Sequence, residues 1–139
     1  MKKKVLFVCT HNSARSQMAE GLLNNICGDK YEAYSAGATP TKINPFSIEA
    51  LKEIGIDISS HYSKSTEDFS GIKFDYVITV CDNAKETCPF FPGAKNYIHR
   101  KFEDPSCTEG TDKDKLNAFK RSRDEIKEWI IDFFYNNNP

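Results

Sequence analysis

The sequence has neither an excess of charge of one sign nor a long hydrophobic run. Its 139 residues carry 19 Lys and Arg against 20 Asp and Glu, a formal net charge of −1. Proteins that bind DNA or RNA gather phosphates with a basic surface, so no nucleic-acid partner is expected. No stretch approaches the roughly 20 apolar residues of a membrane span. The apolar run at residues 5–8 is too short for a signal peptide, so we expect a cytoplasmic protein without a membrane partner.

The cysteines do not fit the disulfide framework of a small secreted domain. They are odd in number and unevenly spaced, and 39% of the chain is apolar, which is enough for a core. We therefore interpret them as free or reactive thiols. No G-x-G-x-x-G fingerprint of a nicotinamide site is present, and no cofactor or metal is expected. The five cysteines are Cys9, Cys27, Cys81, Cys88 and Cys107.

Short apolar segments alternate with amphipathic ones along the chain. The segments that predict strands are 4–9, 31–35, 74–80 and, more weakly, 95–99. The segments that predict helices are 16–28, with a left-handed cap at Gly28, 44–55, with Asn44 and Pro45 at its start, and 116–134. This order predicts an α/β three-layer sandwich, a small four-stranded parallel sheet with helices on both faces. We expect a monomer with one domain over residues 1–135 and a polar tail over 136–139.

The turn between the first strand and the first helix carries the chemistry. Its backbone N–H groups and the positive end of the helix dipole can bind a tetrahedral oxyanion. The planar guanidinium of Arg15 can bind two oxygens of the anion. The positive field of the loop, the helix dipole and Arg15 also favours the nucleophilic thiolate of Cys9. A buried strand-end cysteine beside a surface arginine is the alternative. The predicted oxyanion-binding residues are Thr10, His11, Asn12, Ser13, Ala14, Arg15 and Ser16, of which Ser16 can also donate to the Cys9 sulfur.

The pattern Cys9-x5-Arg15-Ser16 near the start of a βαβ chain resembles the low-molecular-weight tyrosine phosphatase superfamily, over nearly the whole chain. The segments most similar to its thioredoxin-coupled arsenate reductases are 12–21, 35–37 and 55–59. The resemblance implies that the aspartate of a late Asp-Pro loop, here Asp104, is a general acid. An ordinary Asp-Pro turn is the alternative, and Glu103 is the neighbour that can be mistaken for the acid.

Two further cysteines separate a reductase from a phosphatase. A phosphatase needs one thiol and an acid, whereas reducing arsenate to arsenite takes two electrons. The resemblance implies that Cys9 attacks arsenate, Cys81 attacks Cys9, and Cys88 attacks Cys81, leaving a disulfide for a thioredoxin. A polar segment at 82–87 is expected to unwind during this relay. Two alternatives stay open. Cys81 and Cys88 can have structural places only, at the end of a buried strand and at the cap of a turn, and the reductant can be another dithiol donor. A phosphatase acting through a phosphorylated Cys9 is the alternative function. Phosphatases of the superfamily that act on aryl phosphates usually carry a tyrosine after the Asp-Pro pair, whereas this chain has Ser106 there.

The resemblance also implies a set of residues that support the loop. Asn12 is expected to hold the loop in shape together with Ser35. Some relatives bind potassium beside the loop, where this chain has Glu20 and, in place of an aspartate, Lys64. A lysine ammonium can replace the cation and pair with Glu20, so we expect no potassium dependence.

The remaining cysteines and histidines receive no catalytic role. Cys107 is either a surface residue or a substitute resolving thiol, and Cys27 has no assigned role. His61 and His99 are interpreted as ordinary surface or strand residues. His11 occupies a loop position where relatives carry glycine, and histidine tolerates a positive φ better than most residues.

Overall fold

The computed structural model describes residues 2–81 and 91–136, and its centre is a parallel sheet. The strands are β1 Lys3–Cys9, β2 Tyr31–Gly37, β3 Phe74–Thr79 and β4 Ala94–His99. Their order across the sheet is β2-β1-β3-β4, and every neighbouring pair is parallel. The carboxyl ends of β1 and β3 therefore lie side by side in the middle of the sheet, where ligands of such folds bind.

Two of the three α-helices of the described residues begin at side-chain caps. The α-helices are α1 Arg15–Cys27, α2 Pro45–Lys52 and α3 Asp112–Ile130, which continues as a π-helix over Ile131–Asn136. The Asn44 side chain accepts the N–H of Phe46 at 2.9 Å and so caps α2. Thr111 and Asp114 form a capping box at the start of α3, which begins before the predicted residue 116.

The sheet separates two apolar clusters, because alternate strand residues point to opposite faces. Val5 and Phe7 lie in the cluster that packs under α1, α2 and α3. Leu6 and Val8 lie in the other cluster, with Phe69 from the 3₁₀ helix Thr66–Phe69. The long helices thus share one face and a short helix covers the other, and the predicted three-layer parallel fold is confirmed.

The predicted left-handed cap at Gly28 is wrong. Gly28 has φ −62° and ψ −15°, which is a right-handed helical conformation. Space explains the glycine instead, since a Cβ there would lie 2.2 Å from the Asn24 carbonyl oxygen.

The described residues contain no helix that is long and apolar enough to cross a membrane. The single domain over 1–135, the polar tail over 136–139 and the monomeric state stay predictions.

Candidate functional site

A five-residue loop, 10–14, joins β1 to α1 at the carboxyl edge of the sheet. Cys9 is the last residue of β1 and is only 2% exposed. The N-cap of α1 is Ala14, whose methyl side chain cannot accept a hydrogen bond from the first turn. The N-terminal end of α1 and its dipole are therefore well suited to a bound anion.

Carbonyl groups of this loop point away from its inner side. The contacts that hold them are Thr39 N–H to Thr10 O at 2.9 Å, Thr41 N–H to His11 O at 3.2 Å, and Asn44 N–H to Ser13 O at 2.9 Å. Peptide units whose carbonyls face outward turn their N–H groups inward, which produces a concave site for an anion. This geometry fits the oxyanion-binding role predicted for residues 10–16.

Asn12 is the residue of the loop that adopts a left-handed backbone conformation. Among non-glycine residues of the described chain, it alone has a positive φ, 53°, and His11 does not. Its side-chain Oδ1 accepts the Lys64 backbone N–H at 2.9 Å and Gln17 Nε2 at 3.0 Å. Because a backbone N–H can only donate, the orientation of the Asn12 amide is fixed, and its Nδ2 donates to Ser16 Oγ at 2.8 Å.

This orientation determines which way the Ser16 hydroxyl points. Ser16 Oγ lies 2.8 Å from Cys9 Sγ. Since Ser16 Oγ already accepts from Asn12, its own hydrogen is available to the sulfur, and we assign Ser16 as the donor. The buried network therefore holds the Ser16 hydroxyl toward the Cys9 sulfur.

The structure brings Arg15 and Asp104 together beside the loop. Arg15 is 3% exposed, and its Nη1 donates to the Phe102 carbonyl at 3.2 Å. Its Nη2 lies 3.6 Å from Asp104 Oδ2, and the Asp104 side chain keeps 19% of its surface exposed. The Phe102 N–H donates to the Val80 carbonyl at 3.2 Å, which anchors the acid-bearing segment to the end of β3.

Cys81 lies beside the Cys9 end of β1 and is fully buried. Val80 N–H donates to Val8 O at 3.0 Å, and Cys81 Sγ lies 3.7 Å from the same oxygen. Val8 immediately precedes Cys9 and pairs with Thr79, two residues before Cys81, so both thiols lie at the carboxyl ends of neighbouring strands. Cys88 and the segment 82–87 fall outside the described residues.

Of the residues predicted to support the loop, Ser35 and Lys64 both contact Glu20, and one of the two predicted pairs is present. The Ser35 hydroxyl donates to Glu20 Oε1 at 2.7 Å, so its partner is Glu20 and not Asn12. Lys64 Nζ lies 3.6 Å from the same oxygen, and His61 Nδ1 lies 3.3 Å from Oε2. The pairing expected for Glu20 and Lys64 is therefore present.

Gln17 is a site residue that the sequence prediction does not include, and the prediction that His61 is an ordinary surface residue is wrong. Gln17 is fully buried, its Nε2 donates to the Tyr62 carbonyl at 2.9 Å, and its Oε1 lies 3.2 Å from His61 Nδ1. His61 thus lies between Gln17 and Glu20 and is not an ordinary surface residue. The available signal was a polar residue in the first turn of a helix that follows an anion-binding loop.

The other cysteines have different surroundings. Cys27 is buried at the far end of α1, and burial, with the nearby Asp29 carboxylate, raises the pKa of its thiol. Cys107 is exposed, with Sγ 3.8 Å from Asp104 Oδ2. Cys27 is therefore suited to packing, whereas Cys107 borders the Asp-Pro loop.

Comparison with known proteins gives concordant matches. The family model described as low molecular weight phosphotyrosine protein phosphatase matches residues 4–137. An arsenate reductase of Halalkalibacterium halodurans is 45% identical over 132 residues, 95% of each chain. A solved arsenate reductase in the phosphate binding state has a TM-score of 0.81 at 32% identity and covers 96% of this chain and 98% of its own. A thioredoxin-dependent arsenate reductase of Corynebacterium glutamicum has a TM-score of 0.67 at 30% identity, over 97% of this chain and 63% of its own.

Proposed function

The chain belongs to the low molecular weight phosphotyrosine protein phosphatase family, and we propose that within it this protein reduces arsenate to arsenite with a thioredoxin as reductant. The support from relatives is that proteins similar over nearly the whole chain are named arsenate reductases. One similar structure is named as thioredoxin-dependent. The family assignment made from the Cys9 loop is thereby confirmed.

The observation that carries the proposal is the pair of buried thiols at neighbouring strand ends. Cys9 is 2% exposed and Cys81 is not exposed. Hydrolysis of a phosphate ester uses one thiol, whereas reduction of arsenate uses two. A second thiol in contact with the carbonyl before Cys9 therefore favours the reductase.

The first step uses the loop as an anion site. The N–H groups of the loop and Arg15 hold arsenate, and the Cys9 thiolate attacks arsenic. A sulfur–arsenic bond forms and an arsenic–oxygen bond breaks. Asp104 gives a proton to the departing oxygen, which leaves as water.

The second step moves two electrons. The Cys81 thiolate attacks Cys9 Sγ, the sulfur–arsenic bond breaks, and its electron pair stays on arsenic as arsenite leaves. The Cys9–Cys81 disulfide is then attacked by Cys88, which frees Cys9. The resulting Cys81–Cys88 disulfide is reduced by the dithiol of thioredoxin.

A disulfide map tests this function directly. Fully reduced protein receives one equivalent of arsenate without any partner, and cysteine pairing is read by mass spectrometry. We expect a Cys81–Cys88 bridge and one equivalent of arsenite, and no bridge with phosphate as the control. Five free thiols after arsenate treatment would show that the protein is not a reductase.

Phosphatase activity is a second candidate, since Cys9, Arg15 and Asp104 suffice for hydrolysis of a phosphate ester. The observation that favours it is the contact of Arg15 Nη2 with Asp104 Oδ2, because it places the anion-binding guanidinium beside the proposed proton donor. We propose it as a weak side activity of the same site.

Lys64 is proposed to take the part of a bound cation beside the loop. Its ammonium group and His61 Nδ1 lie on different oxygens of the Glu20 carboxylate, and the Lys64 backbone N–H holds Asn12. A buried carboxylate is costly unless paired, and Lys64 provides the opposite charge without an ion.

Thermal unfolding in potassium tests this role of Lys64. We expect potassium to raise the melting temperature no more than sodium does at equal ionic strength. In Lys64→Ala the Glu20 carboxylate loses this charge, so the melting temperature should fall. A clear rise specific to potassium in the unaltered protein would contradict the assignment.

A further inference from the structure

The two oxygens of the Asp104 carboxyl group have different surroundings. Oδ1 accepts two hydrogen bonds from Ser106, one from the backbone N–H at 3.0 Å and one from the hydroxyl at 2.7 Å. Oδ2 lies 3.6 Å from Arg15 Nη2 and 3.8 Å from Cys107 Sγ. The carboxyl group is thus held with one oxygen toward Ser106 and the other toward the anion-binding arginine.

This asymmetry determines where an acidic proton resides. The Ser106 N–H can only donate, so Oδ1 is held as an acceptor, and the hydroxyl bond occupies Oδ1 further. The donors that face Oδ2, Arg15 Nη2 and Cys107 Sγ, lie farther away, at 3.6 Å and 3.8 Å, so Oδ2 is the oxygen with room for the acidic proton. Oδ2 is the oxygen that faces Arg15, and Arg15 binds the oxyanion in the proposed function.

We propose that Ser106 is a positioning residue of the reaction, whose hydroxyl orients Asp104 so that the acidic proton is on Oδ2. The proposal deepens the function proposed above and rests on Asp104 being its general acid. It assigns a use to the serine that stands where tyrosine follows the Asp-Pro pair of many phosphatases of the family. Ser106 does not touch the oxyanion in this assignment and acts only through Asp104.

The position of Ser106 fits this role. Ser106 and Ser13 line the same open groove, of about 670 Å³, so the Asp-Pro loop and the oxyanion loop face a common space. Asp104 also caps the short turn Pro105–Cys107 by accepting the Ser106 N–H. That backbone bond survives any side-chain replacement, so removal of the hydroxyl tests orientation and leaves the turn capped.

Leaving-group dependence of aryl phosphate hydrolysis is the test. A general acid matters most when the leaving group is a poor one, so kcat/KM is measured with phenyl phosphate and with 4-nitrophenyl phosphate. Asp104→Asn should lose about a hundredfold with phenyl phosphate and much less with 4-nitrophenyl phosphate. Ser106→Ala should lose about three- to tenfold with phenyl phosphate and stay within about twofold with 4-nitrophenyl phosphate.

The chain offers a matched control for the lost serine hydroxyl. Ser59 donates its N–H to Asp57 Oδ1 at 2.9 Å, and hydrogen bonds from its side chain and backbone lower the pKa of Asp57. Ser59→Ala removes the same kind of hydroxyl–carboxylate bond from another loop and should leave both substrates unchanged. Ser106→Thr keeps a hydroxyl and should restore the rate with phenyl phosphate.

The possible results distinguish the positioning role of Ser106 from the general-acid role of Asp104. Equal losses of Ser106→Ala with both substrates, or no loss, overturn the positioning role while Asp104 stands as the acid. An Asp104→Asn variant without leaving-group selectivity overturns the acid and the positioning role together. Selective loss in Ser106→Ala, with rescue by threonine, supports the assignment, whether or not the disulfide map finds a relay.

Discussion

Replacing Cys81 by serine is expected to abolish steady-state reduction of arsenate, by on the order of a thousandfold, and to leave hydrolysis of 4-nitrophenyl phosphate within about twofold. Serine cannot attack the Cys9 sulfur to form a disulfide, so the arsenic adduct can only revert by hydrolysis. The phosphatase reaction uses the loop, Arg15 and Asp104 and does not involve residue 81. Arsenite formation and nitrophenolate release, measured on one preparation, report the two activities.

Cys27→Ser is the control for this substitution. Cys27 is buried like Cys81, so both variants place a hydroxyl where a buried thiol was. Cys27 lies at the far end of α1, and its raised pKa keeps it as an unreactive thiol. Both activities should survive in Cys27→Ser. Equal loss of the two activities in Cys81→Ser would instead indicate a packing role and remove the main support for the relay.

Replacing Gly37 by alanine is expected to weaken phosphate binding, and with it both activities, by about a hundredfold. Gly37 ends β2 directly beneath the oxyanion loop. A Cβ there would lie 2.7 Å from Thr10 O, 2.9 Å from Asn12 N and 3.0 Å from Cys9 O. All three atoms are backbone, so the loop must shift as a whole and its N–H groups lose their common focus. Calorimetric titration with phosphate measures the loss.

A second glycine distinguishes damage to the loop from loss of stability. A Cβ on Gly71 meets nothing within 4 Å, but its φ of +84° is strained for alanine and costs about 1 kcal/mol. Gly71→Ala should therefore lower the melting temperature and leave phosphate affinity unchanged. Normal phosphate affinity in Gly37→Ala would mean that the loop tolerates displacement, and it would contradict this prediction.

Local patterns predict the sheet, the helices and the Cys9 loop, because each leaves a signal within a few residues. Residues 5–9 of β1 are an uninterrupted apolar run, and Asn44 with Pro45 predicts the start of α2. The same patterns misjudge Gly28, where the contact with Asn24, and not the backbone conformation, excludes a side chain. A sequence window records residue types and not the space around them.

The support of the loop could not be predicted in the same way. Gln17 bonds the Tyr62 carbonyl, 45 residues away, and Lys64 bonds Asn12 across 52 residues. Such pairs depend on where the fold places residues 61–64, which no periodicity encodes. The family resemblance predicted the pair of Glu20 with Lys64, but it assigned Ser35 to Asn12, whereas the Ser35 hydroxyl donates to Glu20.

The aromatic contacts of the acid-bearing segment give the protein an optical reporter. Trp129 is the single tryptophan of the chain, and its ring lies edge-on to Phe102 with centroids 6.3 Å apart. The Phe102 carbonyl in turn accepts a hydrogen bond from Arg15. Indole emission responds to nearby charge and packing, so we expect an anion that binds Arg15 to alter the fluorescence of Trp129. Anion entry should then be measurable in a stopped-flow instrument without a label.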